Sequence, residues 1–238
     1  MFTLTIKAPE RAMVIVAHPD DPEFFCGGLI AAWCAAGSQV SYLILTNGDK
    51  GSDNPEMVPE KLITIRREEQ QAAADVLGVK QVIFFNEPDG ELRPTLELRK
   101  NVVAEIRRWK PDAVVTLDPT RYFSGNIRVN HADHRAVGEV ALDAIFPATG
   151  NRMYHPELLA EGLDPHQVKQ VYLAGTDQPN LWVDISEVLE TKIQAILCHA
   201  SQIKEPDKLP ERMRERSKAI DEYGREVQRE GYRVLNLG

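Results

Sequence analysis

Cysteine is scarce in this chain: three in 238 residues, at positions 26, 34 and 198, with no CxxC pair. An odd, widely spaced set excludes a disulfide framework and implies a reduced, cytoplasmic setting. No apolar run approaches the ~20 residues that a membrane-spanning helix needs. The first stretch, MFTLTIKAPERAMVIVA, places Lys7, Glu10 and Arg11 among its apolar positions, so no signal-peptide core is expected there. Positive charge is not in excess either. Lys and Arg number 28 against 36 Asp and Glu, and the net charge of −8 argues against a nucleic-acid partner or an anionic membrane surface. Histidines number only six, and no repeat, low-complexity tract or linker interrupts the chain.

What remains is ordinary globular composition, 43% hydrophobic and 27% charged, in a length that suits one domain over residues 1–238. Strand and helix patterns alternate. Strands are expected at Val14–Ala17, Val40–Thr46, Gln81–Phe85 and Ala113–Leu117, with shorter ones at Val171–Ala174 and Leu181–Ile185. Helices are expected at Phe24–Ala36, Glu60–Leu77, from a Thr95 cap to Trp109, over His131–Phe146, from a Ser186 cap to Ala200, and over the highly charged Glu211–Glu230. Such alternation gives an α/β, Rossmann-like fold: a mostly parallel sheet with helices on both faces and right-handed crossovers.

Polar chemistry concentrates where the first strand ends. Val14-Ile-Val-Ala runs straight into His18-Pro-Asp20-Asp21, an imidazole and two carboxylates in four residues. In an open α/β sheet the crevice beyond the strand ends is where ligands bind. The alternative of a non-hydrolytic nucleotide-binding α/β protein is disfavoured by the phosphate-binding turn it needs. Such a turn wants G-x-G-x-x-G, Gly27-Gly28 comes too late, and two carboxylates would repel phosphate. A catalytic zinc takes three protein ligands and leaves a position for water, and His18 and Asp21, three apart, can reach one ion. A third ligand is expected from Asn130-His131-Ala-Asp133-His134, after the fourth strand. Residues three apart share a helix face, so both of its histidines can point into the crevice.

Ala17-His18-Pro19-Asp20-Asp21 with Gly27-Gly28, together with His131-Ala132-Asp133-His134, closely resembles the PIG-L/LmbE-like family of zinc-dependent N-acetylglucosaminyl deacetylases. The resemblance continues through Leu45–Gly51, Arg66-Arg67-Glu68-Glu69, Pro88-Asp89-Gly90 and His199-Ala200-Ser201-Gln202, over about residues 12–202. Two positions depart from the family pattern, Pro22 where glutamate is common and Ala132 where proline is frequent, and neither removes a functional group. The resemblance implies that His18, Asp21 and His134 bind one Zn2+, with Fe2+ or another divalent ion serving the same donor set. It implies Asp20 as general base, His131 as the group that stabilises or protonates the intermediate, and Arg66 as a grip on substrate hydroxyls. Asp133 is expected to hold the His131 ring in its working tautomer. The implied reaction is hydrolysis of the N-acetyl amide of an N-acetylglucosamine-type amino sugar or glycosylated thiol precursor, in a family whose members commonly form homo-oligomers. A thiol-conjugate amidase would share the same metal residues.

Other residues receive plainer expectations. His199, late in a helix, is expected to pack or cap. His155 and His166 are expected in loops that could line the substrate entrance, and Tyr122, Phe123 and Tyr154 in long loops flanking the site. Cys26 and Cys34 are expected on the apolar face of the first helix, since Cys26 as a fourth ligand would leave no water. The charged C-terminal helix is expected to present a solvated face or a subunit contact.

Overall fold

Ala12 to Val16 carry only apolar side chains and are buried, as suits a central strand covered on both faces. They lie in β1 (Arg11–Val16) of a computed structural model that describes residues 7–238; Met1–Ile6, at the start of the stretch read for a signal peptide, lie outside the described residues. In chain order follow α1 (Asp21–Ala35), β2 (Gln39–Thr46), α2 (Pro59–Leu77), β3 (Gln81–Glu87), α3 (Leu96–Trp109) and β4 (Ala113–Leu117). A small hairpin, β5 (Phe123–Ser124) and β6 (Arg128–Val129), precedes α4 (Ala132–Asp143), which runs into an irregular segment, Ala144–Thr149. The rest is α5 (Glu157–Ala160), β7 (Gln170–Ala174), β8 (Leu181–Asp184), α6 (Leu189–Leu197), α7 (Leu209–Ser217), β9 (Lys218–Ile220) and β10 (Glu226–Asn236).

Among the described residues, eight strands make one sheet in the order β3-β2-β1-β4-β7-β10-β8, with β9 beside β10. The first five in that order run parallel, and β10 is antiparallel to β7, β8 and β9. Helices α1, α2 and α6 pack together, as do α3 and α4, forming the two helical layers of the expected Rossmann-like class. Strand order reverses between β1 and β4, so the connections leaving their carboxyl ends diverge and open a crevice. Both histidine motifs stand at that reversal.

The expected helix over Glu211–Glu230 is corrected. The helix stops at Ser217, and the chain folds back as β9 and an eleven-residue β10. Asp221 makes the turn: its Oδ1 accepts the backbone N–H of Tyr223 and Arg225, each at 2.8 Å, and Gly224 takes a φ of 78°. Beyond it Glu230 and Tyr232 alternate inward, while Gly231 gives room to Trp182, whose ring a Cβ there would meet at 2.7 Å. The segment's charges read as helix because a period of two is hard to see where the inward residues include a glutamate. Ser186 is likewise no cap. Its side chain bonds Asp184 and the backbone of Gln228, and α6 starts three residues later.

Candidate metal and catalytic site

β1 delivers His18 to the crevice floor, and the chain must then turn sharply enough to start α1 at Asp21. The turn is taken at Asp20, whose φ of 89° lies in the left-handed region that few non-glycine residues occupy. Asp21 closes back on the turn, its Oδ2 accepting the His18 N–H at 2.8 Å. From β4 the longer connection ends at His131, which caps α4 by accepting the Asp133 N–H on Nδ1 at 3.2 Å. One turn of α4 then carries His134 inward. Its Nε2 stands 3.1 Å from Asp21 Oδ1, and His18 Nδ1 stands 3.4 Å from Asp21 Oδ2. The ligand atoms of His18, Asp21 and His134 lie within 4.8 Å of one another.

Proton placement tests whether this triad suits a cation. His18 Nε2 faces two carboxylates, Asp89 Oδ1 at 3.1 Å and Asp133 Oδ2 at 3.2 Å, so that nitrogen carries the hydrogen. His134 Nδ1 faces Asn130 Oδ1 at 3.3 Å, and the same reasoning puts its hydrogen there. The remaining lone pairs, Nδ1 of His18 and Nε2 of His134, both point at the Asp21 carboxylate. Three acceptors converging without a proton between them fit a divalent cation, and each imidazole is oriented by an outer partner in the manner of metal-ligating histidines. Without a cation, a proton takes its place. Burial alone would lower the His18 pKa, but Asp133, Asp21 and Asp89 together raise it well above the ordinary value. Burial would raise Asp21, yet His134 and His18 hold it well below the carboxylate range.

A second triad, His18, His131 and Asp133, is equally compact. It fits a cation less well, because the Asp133 carboxylate already accepts the Gly90 N–H at 2.7 Å and the Leu92 N–H at 3.2 Å besides facing His18.

Asp133 therefore departs from expectation. Its carboxylate orients His18, and only its backbone N–H reaches His131. That contact still sets the His131 tautomer: Nδ1 accepts, so Nε2 carries the hydrogen and is a donor. Burial, the nearby His18 and His134 lower the pKa of this ring, favouring the neutral form.

Arg66 departs too. It is 4% exposed, with Nη1 donating to Gly48 O at 3.1 Å and Nη2 donating to Pro19 O at 2.6 Å and approaching Asp20 Oδ2 at 3.3 Å. These contacts fasten the turn that carries Asp20, while Nε has no hydrogen-bond partner. Gly48, at a φ of 68°, leaves the guanidinium room, since a Cβ there would meet Nη1 at 2.7 Å. Burial and the adjacent Asp21 push the Asp20 carboxyl up to about 6, against the pull of Arg66. A carboxylate titrating there suits a general base working near neutrality.

Asp89, of the Pro88-Asp89-Gly90 motif, stands against His18 and, at 3.9 Å, Arg66 Nη1. Its place at the end of β3, bordering the same crevice, is the signal that could have found it. Gln70 and Glu23 belong to the same site without a motif that marks them. Both are fully buried: Gln70 accepts the Asp20 N–H at 2.8 Å and donates to both Glu23 oxygens at 3.0 and 3.1 Å. His199 packs as expected, and its Nε2 meets Glu23 Oε2 at 3.0 Å.

The segment 151–167 does not flank the site. His166 Nε2 bonds Pro111 O at 2.7 Å, at the opposite end of β4, and the Tyr154 carbonyl accepts from Arg107. His155 Nδ1 stands 3.7 Å from Glu157 Oε1 of α5, in the same segment. Tyr122 and Phe123 do stand in the connection leading to His131; Tyr122 is stacked by Arg135 at 4.6 Å. Cys26 is buried at a kink of α1, with a φ of −146°, rather than on a regular helical face.

Comparison with known proteins gives the family. The family model described as GlcNAc-PI de-N-acetylase, PIG-L, matches residues 13–145, more than half of the 238. A diacetylchitobiose deacetylase of Thermococcus kodakarensis is 36% identical over 196 residues, 82% of this chain and 71% of that protein. The solved structure of N,N'-diacetylchitobiose deacetylase from Pyrococcus horikoshii superposes with a TM-score of 0.86 at 28% identity, covering 97% of this chain and 85% of that one. A 4-oxalmesaconate hydratase of Pseudomonas putida is 28% identical over 211 residues, 83% of this chain and 76% of that protein. With more than half of its length matched by the family model, and its two histidine motifs gathered at one crevice, the chain belongs to the PIG-L family of GlcNAc-PI de-N-acetylases.

Proposed function

We propose that this protein is a zinc-dependent N-deacetylase that hydrolyses the N-acetyl amide of an N-acetylglucosamine-type amino sugar. The observation that carries the reading is the convergence of two imidazole lone pairs and the Asp21 carboxylate, with the Asp20 carboxylate beside them and outside the donor set. His18, Asp21 and His134 would hold the ion. A bound divalent cation lowers the pKa of its water towards ~7 and polarises a carbonyl.

Asp20 takes the proton of the attacking water and returns it to the departing amine, a role its carboxyl near 6 suits. Arg66 and Gln70 hold Asp20 in place from the guanidinium and the amide side. His131 donates from Nε2 to the oxygen on which charge develops, a contribution of typically a few kcal/mol. Asp133 and Asp89 keep the hydrogen of His18 on Nε2. Named relatives that are deacetylases of amino-sugar compounds support the substrate class. The hydratase relative supports a second reading, water addition to a carbon–carbon double bond by the same base and ion.

Metal content measured beside amine release from N-acetylglucosamine and diacetylchitobiose, with and without chelator, tests the assignment. About one metal per chain and chelator-sensitive release are expected. Asp20→Ala should keep the metal and lose roughly 10²–10⁴-fold in turnover. His134→Ala should lose both. A fully active Asp20→Ala protein overturns the mechanism, and turnover of an unsaturated dicarboxylate without amine release would favour the hydratase.

A further inference from the structure

Asp20 pays for its position in backbone strain, and something must hold it there. A non-glycine residue at a φ of 89° costs on the order of 1–3 kcal/mol and persists only where the surroundings over-determine it. Two contacts reach this turn from α2, both named above. Arg66 takes the carbonyl that precedes Asp20 and approaches its carboxylate, while Gln70, one helical turn later, takes its N–H. An amide that must accept from Asp20 and donate to Glu23 has one orientation, so the side-chain oxygen faces the turn. Glu23 is fixed in turn by His199, from the end of α6, and all three side chains are fully buried. None of them is among the ligand atoms of the metal triad.

We propose that Gln70, locked by the Glu23–His199 pair, is a positioning residue that holds Asp20 in its left-handed conformation and so aims the general base. The chain of contacts joins three helices: Glu23 on α1, Gln70 on α2 and His199 just past α6. The neighbouring segment is tied to the same elements, since Ser201 bonds Glu69 of α2 and Gln202 bonds Gly51 O in the loop before it. The base is thereby referenced to the packing of helices behind the crevice as well as to Asp21, the neighbouring residue that would hold the ion. Without the Gln70 oxygen the Asp20 N–H is orphaned at a part-buried position. The strained turn then keeps only one of its two holders from α2, and the carboxylate shifts. Misplacement of a reacting group by about 1 Å is worth roughly 10²-fold in rate.

The proposal rests on the deacetylase reading, and the test separates the two. Gln70→Met keeps the side chain's length and burial while removing both polar contacts. Metal-loaded Gln70→Met is expected to keep its metal and the wild-type KM within about two-fold, and to lose roughly 10–100-fold in kcat. Because Gln70 acts through Asp20, the same substitution made in Asp20→Ala should cost nothing further. A general loosening of the fold would instead subtract the same factor in both backgrounds, and that additivity overturns the proposal. So does an unchanged kcat. Gln70→Glu keeps an acceptor for Asp20 but sets a second carboxylate against Glu23; partial recovery of kcat in Gln70→Glu combined with Glu23→Gln is expected. Crystal structures of wild-type and Gln70→Met protein provide the arm that does not depend on turnover. Asp20 should leave the left-handed region in the variant, and a φ that stays near its native value overturns the positioning role. If the wild-type protein releases no amine, the deacetylase reading falls while the crystallographic comparison still decides what Gln70 does.

Discussion

Around His18 the chemistry turns on which ring nitrogen carries the hydrogen. Asp89 and Asp133 together fix it on Nε2 and leave Nδ1 free toward Asp21. Asp133 also accepts two backbone N–H groups and serves the fold; Asp89 offers the cleaner probe. Asp89→Asn removes the charge behind the imidazole and keeps the shape. Loss of such an outer partner typically weakens metal affinity 10–100-fold, so competition with a chromophoric chelator should show about a ten-fold rise in Kd. An unchanged Kd would mean that His18 Nε2 has no influence on the ion, and the ligand assignment would need revision.

At the scale of elements, α1 is the helix under most demand, since it supplies Asp20 and Asp21 at one end and packs against the sheet at the other. It is kinked at Cys26, and the N–H groups of Gly28 and Leu29 beyond the kink would be orphaned. Glu230, from the strand that was expected to be helix, accepts both at 2.9 Å. Lys192 of α6 pairs with the same carboxylate at 2.6 Å and donates to Phe24 O, a carbonyl on the near side of the kink. Gly28 permits the approach, for a Cβ there would meet Glu230 Oε1 at 2.9 Å. Glu230→Ala would orphan two amides and leave Lys192 buried without its partner, so urea unfolding should show a loss of about 3–5 kcal/mol. A loss below about 1 kcal/mol would mean the second half of α1 is capped some other way.

The same element shows what was legible in the sequence. The apolar runs of β1, β2 and β4 and the Thr95 cap of α3 announce themselves locally, and the capping bond from Leu98 N to Thr95 Oγ1 is present at 3.1 Å. That the two histidine motifs meet was legible because both sit at strand ends beside one crevice, whereas the choice of His134 over His131 as ligand came from the family resemblance. Glu230 was not, because its partners lie some 200 positions away at a kink that only packing produces. Gln70 falls between. Leu62, Arg66, Gln70, Ala73 and Leu77 share the buried face of α2, and two polar residues in an otherwise apolar stripe are a signal that Arg66's neighbour Arg67 obscured.

Taken whole, the molecule places its triad across the join of its two halves, with His18 and Asp21 arriving from β1 and His134 from β4, so an ion held there ties the two chain crossings together. The sheet beneath does not depend on that tie, since β1, β2 and β4 bury mostly apolar side chains of their own. Metal should therefore stabilise a fold that already exists. An ion at about 100 times its Kd adds roughly 2.7 kcal/mol by mass action. For a chain of this size that is worth about 2–4 °C per kcal/mol, or a rise in Tm of about 5–11 °C on loading chelator-treated protein with zinc. The far-UV circular dichroism should be the same before and after. His134→Ala should melt at one temperature whether zinc is present or not, because the two remaining ligands both come from the β1 side and no longer bridge the join. Equal Tm values for stripped and loaded wild-type protein would place the ion elsewhere, and a stripped protein without helical signal would mean that the triad builds the fold instead of using it.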